Sequence, residues 1–144
     1  SFFATQMPQL GAQGGDAAEA YVIAHEYGHH IQNLTGQMAQ VQSAGQQAGA
    51  NSAQVRLELQ ADCYAGIWAR HSQQAKNWLD QSDIESAINA AQQIGDDTLQ
   101  RQQTGTVRPD AFTHGTSAQR VRWFSMGLKQ GSVQACDTFS TNSL

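Results

Sequence analysis

The sequence is short of several things, and each shortage removes a class of protein. Only 14% of its 144 residues are charged, and the eight Lys and Arg are scattered instead of gathered into a stripe. With a net charge of −4 and a pI near 5.6, no basic surface is available for nucleic acid. No run approaches the roughly 18 consecutive apolar residues of a membrane span, and no charged segment leads into a signal-type apolar run. No clear alternating apolar pattern marks a strand, although the opening Ser-Phe-Phe is compatible with the end of a strand lying upstream. Two cysteines, Cys63 and Cys136, fit no C-x-x-C metal pattern and are either two buried thiols or one disulfide.

What remains is a weakly charged chain, 40% hydrophobic and rich in Gln, Ala and Ser. Its length is that of one ordinary domain, able to bury a core without disulfide staples. We expect a single domain over residues 1–144 and, because the chain starts at Ser1 and not Met, a processed or truncated piece of a longer protein.

The periodicity is helical. Asp16 reads as the cap of a first helix from Ala17 to Leu34, with Ala17, Ala20, Tyr21, Ala24, Gly28 and Ile31 on one face and Gly36 as its stop. Val55, Leu59, Cys63, Gly66 and Ile67 carry a second helix from Ser52 to Arg70, separated from the first by a Gln-rich loop or weak helix. A capping box at Ser82 to Glu85 predicts a third helix from Asp83 toward Ile94, resuming after Gly95. Thr116 and Gln119 form a second box, opening a helix that Gly131 ends.

The chemistry sits in the first two helices. His25 and His29 are four apart, one helical turn plus about 40° and a rise of about 6 Å, so both rings leave one face at the spacing of two metal ligands. Glu26 is the next residue round, able to reach a water on the metal from outside its ligand set, which is the mechanical content of H-E-x-x-H. A catalytic zinc needs a third protein ligand and an open fourth position. Glu58 and Asp62, four apart among Leu57, Leu59, Ala61 and Cys63, can supply that ligand and a carboxylate to hold a ligand histidine by its other nitrogen. Glu26 and His29 also make half of a di-iron signature, but Glu19, Glu58 and Glu85 are followed three residues on by Val22, Ala61 and Ile88, so the second Glu-x-x-His is missing. His30 turns away from His29 to a local partner, and His71 is placed to answer the dipole at the end of the second helix.

With "HEYGHHIQ", "RLELQADCYAGIWA", "DAFTHGTSAQRVRWF" and "CDTF" in view, the chain closely resembles the bacterial neutral zinc metallopeptidases over nearly its whole length. It also resembles the wider gluzincin group. The resemblance implies a mainly α, zincin-like single domain in which the H-E-x-x-H helix packs on a second ligand-bearing helix. It implies zinc on His25, His29 and Glu58, catalysis by Glu26, and support from Asp62. "THGTSAQR" is similar to the T-H-P-x-x-x-x-R signature of peptidases related to the prenyl-protein proteases, which makes His114 and Arg120 further catalytic candidates. Here Gly115 stands where that family has proline. Peptide or protein would be the substrate. Extracytoplasmic placement, and membrane association through a segment absent from this chain, follow from the resemblance alone. The rival reading is a zinc-binding scaffold or interaction protein without useful turnover.

Overall fold

The structure is a computed structural model that describes residues 16–39, 49, 52–76, 87–91, 95–108, 112–141 and 143–144. Its elements are helices α1 (Asp16–Leu34), α2 (Ala53–Lys76), α3 (Asp96–Thr104) and α4 (Ser117–Gln130), followed by a 3-10 turn, Val133–Cys136. Residues 87–91 are also helical, and no strand occurs among the described residues. The protein is mainly α. The Ser-Phe-Phe strand reading, the capping box at Ser82 to Glu85 and most of the Gln-rich segment lie outside the described residues.

Helix α2 is the axis of the molecule. Every residue from Leu57 to Cys63 is buried, so this stretch is enclosed on all sides and not along one stripe. Tyr21 and Ala24 of α1, Ala65 and Ala69 of α2, Phe124 of α4 and Ala87, Ala90 and Ala91 form one apolar cluster. Val55, Leu59 and Cys63, spaced four apart on α2, form another with Phe112, Trp123, Cys136 and Leu144.

Small residues set how near the neighbours come. A Cβ on Gly28 of α1 would meet the Ala61 carbonyl at 3.1 Å, and Cβ atoms on Gly66 and Gly127 would land on the carbonyls of Phe124 and Cys63. The α2 and α4 backbones therefore touch, a contact that only residues without a side chain permit.

Helix limits follow the sequence with informative departures. Asp16 is itself helical, so the first helix starts at the expected cap position, one residue earlier than the expected Ala17. Ser52 accepts from the Val55 N–H and caps α2, which continues six residues beyond Arg70 to Lys76. His71 is therefore interior to α2 and cannot answer its terminal dipole; it lines a groove with Tyr27 and Trp68. The Thr116 box is formed reciprocally with Gln119, and Gly131, at φ 66°, closes α4. The two cysteines are joined as a disulfide, Cys63–Cys136. It fastens the 3-10 turn to α2, where Arg56 donates to the carbonyls of Thr138 and Thr141.

The touching backbones yield a first prediction. Gly127→Ala should lower stability by about 1 to 3 kcal/mol, the usual cost of overpacking a close contact. The midpoint of denaturant unfolding checks it, and an unchanged midpoint would mean that α2 and α4 stand further apart than described.

Candidate metal centre

Helical spacing brings His25 and His29 to the same side of α1, where they meet Glu58 of α2. Glu58 Oε1 lies 3.1 Å from Nε2 of each imidazole. Nitrogen and oxygen atoms from His25, His29 and Glu58 all fall within 4.8 Å of one another. Donors bonded at about 2.0 to 2.1 Å to a tetrahedral zinc would stand about 3.3 Å apart, so the observed spacing suits such an ion. Two imidazoles and a carboxylate are also the donor types zinc accepts at a catalytic site.

Each ligand candidate is gripped from behind. His25 Nδ1 is 2.8 Å from Asp62 Oδ1; a carboxylate only accepts, so Nδ1 carries the proton and Nε2 is left toward Glu58. His29 Nδ1 is held at 2.8 Å by Gln32 Oε1. Gln54 donates to Glu58 Oε2 at 3.1 Å, leaving Oε1 to the imidazoles.

Asp62 is completely enclosed and is the hub of this second layer. Besides His25, it accepts from Tyr21 Oη at 2.6 Å and from Arg120 Nε at 2.8 Å and Nη2 at 3.2 Å. Burial alone would raise its pKa, but the Arg120 and His25 charges and hydrogen bonds outweigh it and hold the carboxyl down at about 2. Burial likewise would raise Glu58, and hydrogen bonds from His25 and His29 bring it well below the usual carboxylate range. For His25 the balance is opposite in sign: burial lowers the pKa, while Asp62 and Glu58 carry it up to about 9. His29 is raised too, the Glu58 bond overcoming desolvation. The pocket is thus strongly selective for positive charge beside Glu58, a preference a divalent cation would also satisfy.

The remaining candidates are placed less alike. Glu26 is exposed, about 100° round α1 from His25 and 60° from His29. His114 is half-exposed, with Nε2 3.8 Å from Glu58 Oε1. Arg120 is 3% exposed and turned into the protein onto Asp62, so it reaches the metal candidates through Asp62 and His25. His30 lies on the outer face beside Tyr27.

Three residues that the sequence reading passed over complete the site. Gln32 and Tyr21 bear on His29 and Asp62 as described. Asp96, at the start of α3, builds the His114 loop: its Oδ2 accepts from the backbone N–H groups of Thr113, His114 and Gly115 at 2.8, 2.6 and 2.9 Å. Gly115 sits at φ +96°, a conformation proline cannot adopt. The loop therefore has a shape that the related signature's proline would forbid, yet it still delivers His114 to Glu58. Asp96, the first of two adjacent acids after Gly95, carries no sequence signal of this role, because its partners are backbone groups seventeen to nineteen residues away.

Comparison with known proteins finds one family and several relatives. The family described as "Putative neutral zinc metallopeptidase" matches residues 1–139. An uncharacterized protein of Escherichia coli K12, YpfJ, is 51% identical over 142 residues, 96% of this chain and 49% of its own length. An uncharacterized protein of Mycobacterium bovis is 45% identical over 152 residues, covering 99% of this chain and 51% of its own. The chain thus spans about half the length of these curated relatives. No solved structure matches it.

The charge balance predicts how metal-free protein responds to pH. Asp62 titrates lower in the fold, at about 2, than its ordinary 3.8, so its contribution to stability is full above about 3.8 and is lost as pH falls toward 2. His25 titrates higher, at about 9 against 6.5, so its contribution is full below 6.5 and disappears as pH rises through 9. Chelator-treated protein should therefore be most stable between about pH 4 and 6.5, measured as the denaturant midpoint across a pH series. A midpoint that stays level from pH 6.5 to 9 would contradict a protonated His25 between Asp62 and Glu58.

Proposed function

We propose that this chain, which belongs to the neutral zinc metallopeptidase family, is a zinc-dependent hydrolase of peptide bonds. His25, His29 and Glu58 are the metal ligands and Glu26 is the general base. The observation that carries this reading is the division of labour among the acids. Glu58 is buried against both imidazoles and Asp62 is buried behind His25, whereas Glu26, on the same helix as the histidines, is exposed. A site meant only to hold a metal has no use for an exposed carboxylate at that position.

Zinc bound there supplies a Lewis acid, polarising a peptide carbonyl and lowering the pKa of water from 15.7 toward about 7. The chain's own groups do the rest. Glu26 takes a proton from the attacking water and returns it to the leaving amine, the same oxygen acting as base and then as acid. His114 approaches from the loop side with Nε2 toward Glu58, while Thr113 Oγ1 lies 2.8 Å from its Nδ1. From there Nε2 can donate to the oxyanion that develops as the carbonyl is attacked. Arg120 fixes Asp62, which fixes the His25 ring; its effect is one of positioning.

Extracytoplasmic location is part of the proposal. The Cys63–Cys136 disulfide supports it, since oxidising compartments are where such bonds persist. No described helix is long and apolar enough to cross a membrane.

The tests separate metal binding from turnover. Native mass spectrometry should find about one zinc per chain, largely lost in His25→Ala, His29→Ala and Glu58→Ala. Glu26→Gln should keep the metal and lose hydrolysis of a peptide library. His114→Ala should keep the metal and turn over about 100 to 1,000-fold more slowly, the cost of one oxyanion donor. A parent protein that holds zinc and cleaves nothing in the library would favour the scaffold reading instead.

A further inference from the structure

His29 is oriented by an amide, where His25 is oriented by a carboxylate, and an amide has two ends that must be told apart. Gln32 is wholly buried. One terminal atom lies 2.8 Å from the Leu57 carbonyl oxygen and 2.9 Å from Gln60 Oε1. A carbonyl can only accept, so that atom is the amide nitrogen. Its other end, Oε1, therefore faces His29 Nδ1, and the ring must donate to it. Gln60 is fixed by the same logic: its oxygen accepts from Gln32, and its nitrogen donates at 3.1 Å to the Cys136 carbonyl. Two backbone acceptors, one on α2 and one on the turn tied to α2 by the disulfide, thus set the polarity of both amides.

We infer that Gln32, backed by Gln60 and the carbonyls of Leu57 and Cys136, is the positioning residue that places the His29 proton on Nδ1 and keeps Nε2 free for the metal. The need for such a device is local. Glu58 Oε1 stands 3.1 Å from His29 Nε2 and is an acceptor of the kind that would draw the proton to the wrong nitrogen. Gln32 offers Nδ1 a competing acceptor that is neutral, adds no charge beside the donor set and cannot rotate without breaking two bonds. The two histidines thereby present the same nitrogen by different means, His25 through a buried ion network and His29 through an uncharged relay. The connection to zinc rests on the metallopeptidase reading; the assignment of the ring proton does not.

The experiment uses that separation. Long-range proton–nitrogen spectra of the metal-free protein, taken above the pH at which His29 titrates, should show its proton on Nδ1. Gln32→Leu should move it to Nε2, whereas Gln32→Glu, which keeps an acceptor, should leave it on Nδ1. Zinc affinity, measured by competition with a chromophoric chelator, should fall about 10 to 100-fold in Gln32→Leu. It should fall less in Gln60→Leu, because the Leu57 carbonyl still holds Gln32. A parent protein with the His29 proton on Nε2 overturns the inference without any variant. So does a folded Gln32→Leu that keeps both the Nδ1 proton and the parental zinc affinity. A parent that shows the Nδ1 proton but binds no zinc would sustain the relay and sink the metallopeptidase reading.

Discussion

The negative charge of Asp62 is the constraint around which the molecule is assembled. A carboxylate taken wholly out of water is tolerable only if enough donors meet it, and stripping one partner from such a buried ion pair costs about 3 to 5 kcal/mol. The donors come from three directions: Tyr21 and His25 from α1, Arg120 from α4. None can reach unless α1 and α4 lie almost against α2. That requirement accounts for the small residues at both crossings, Gly28 over Ala61 on one side and Gly66 against Gly127 on the other. Packing and charge are not separate contributions here, because the close approach that satisfies Asp62 also closes the apolar clusters on either side of it.

The same carboxylate sets the direction of the site. With its proton committed to Asp62, His25 can present only Nε2 to Glu58, and Glu58 is pinned on its far oxygen by Gln54. His29 reaches the same arrangement without charge. One consequence is that the donor atoms are already aimed when a cation arrives, so that it has to displace protons between the imidazoles and Glu58 but not to turn the side chains.

How much of this could be read beforehand depends on the range of each interaction. Helical periodicity and the Thr116 box lie within a few residues, and α1, α2 and α4 follow from them. The pairs at spacing four, His25 with His29 and Glu58 with Asp62, fix which side chains share a face before any tertiary contact is known. Legibility ends where partners are distant or of ambiguous chemistry. Asp96 acts on backbone N–H groups, which no side-chain pattern announces. Gln32 is one Gln among many in a Gln-rich chain, and only the carbonyls of Leu57 and Cys136 give it a direction. Cys63 and Cys136, 73 positions apart, could be a pair or two thiols until the chain between them is folded. Arg120 is legible as a charge near the site, but its inward turn depends on Asp62 being fully buried.

The two sides of the donor cluster differ in what holds them, and that difference bears on function. Behind the imidazoles lies a wall of buried groups, Asp62, Arg120, Tyr21, Gln32 and Gln60, each tied to at least one other. His114, with Nε2 3.8 Å from Glu58 Oε1, keeps substantial access to solvent, and so does Glu26 on the helix that carries the two imidazoles. His114 is carried on a loop whose backbone is gathered by a single carboxylate, so it is fixed in place yet not enclosed. A purely structural metal site gains by closing its fourth side with another ligand. Here the imidazole of His114 approaches Glu58 from the loop side as a group able to donate to developing charge, and Asp96 and the left-handed Gly115 conformation hold it there. An arrangement rigid where metal ligands would be oriented and open on the His114 side is the physical basis on which the proposed hydrolysis rests.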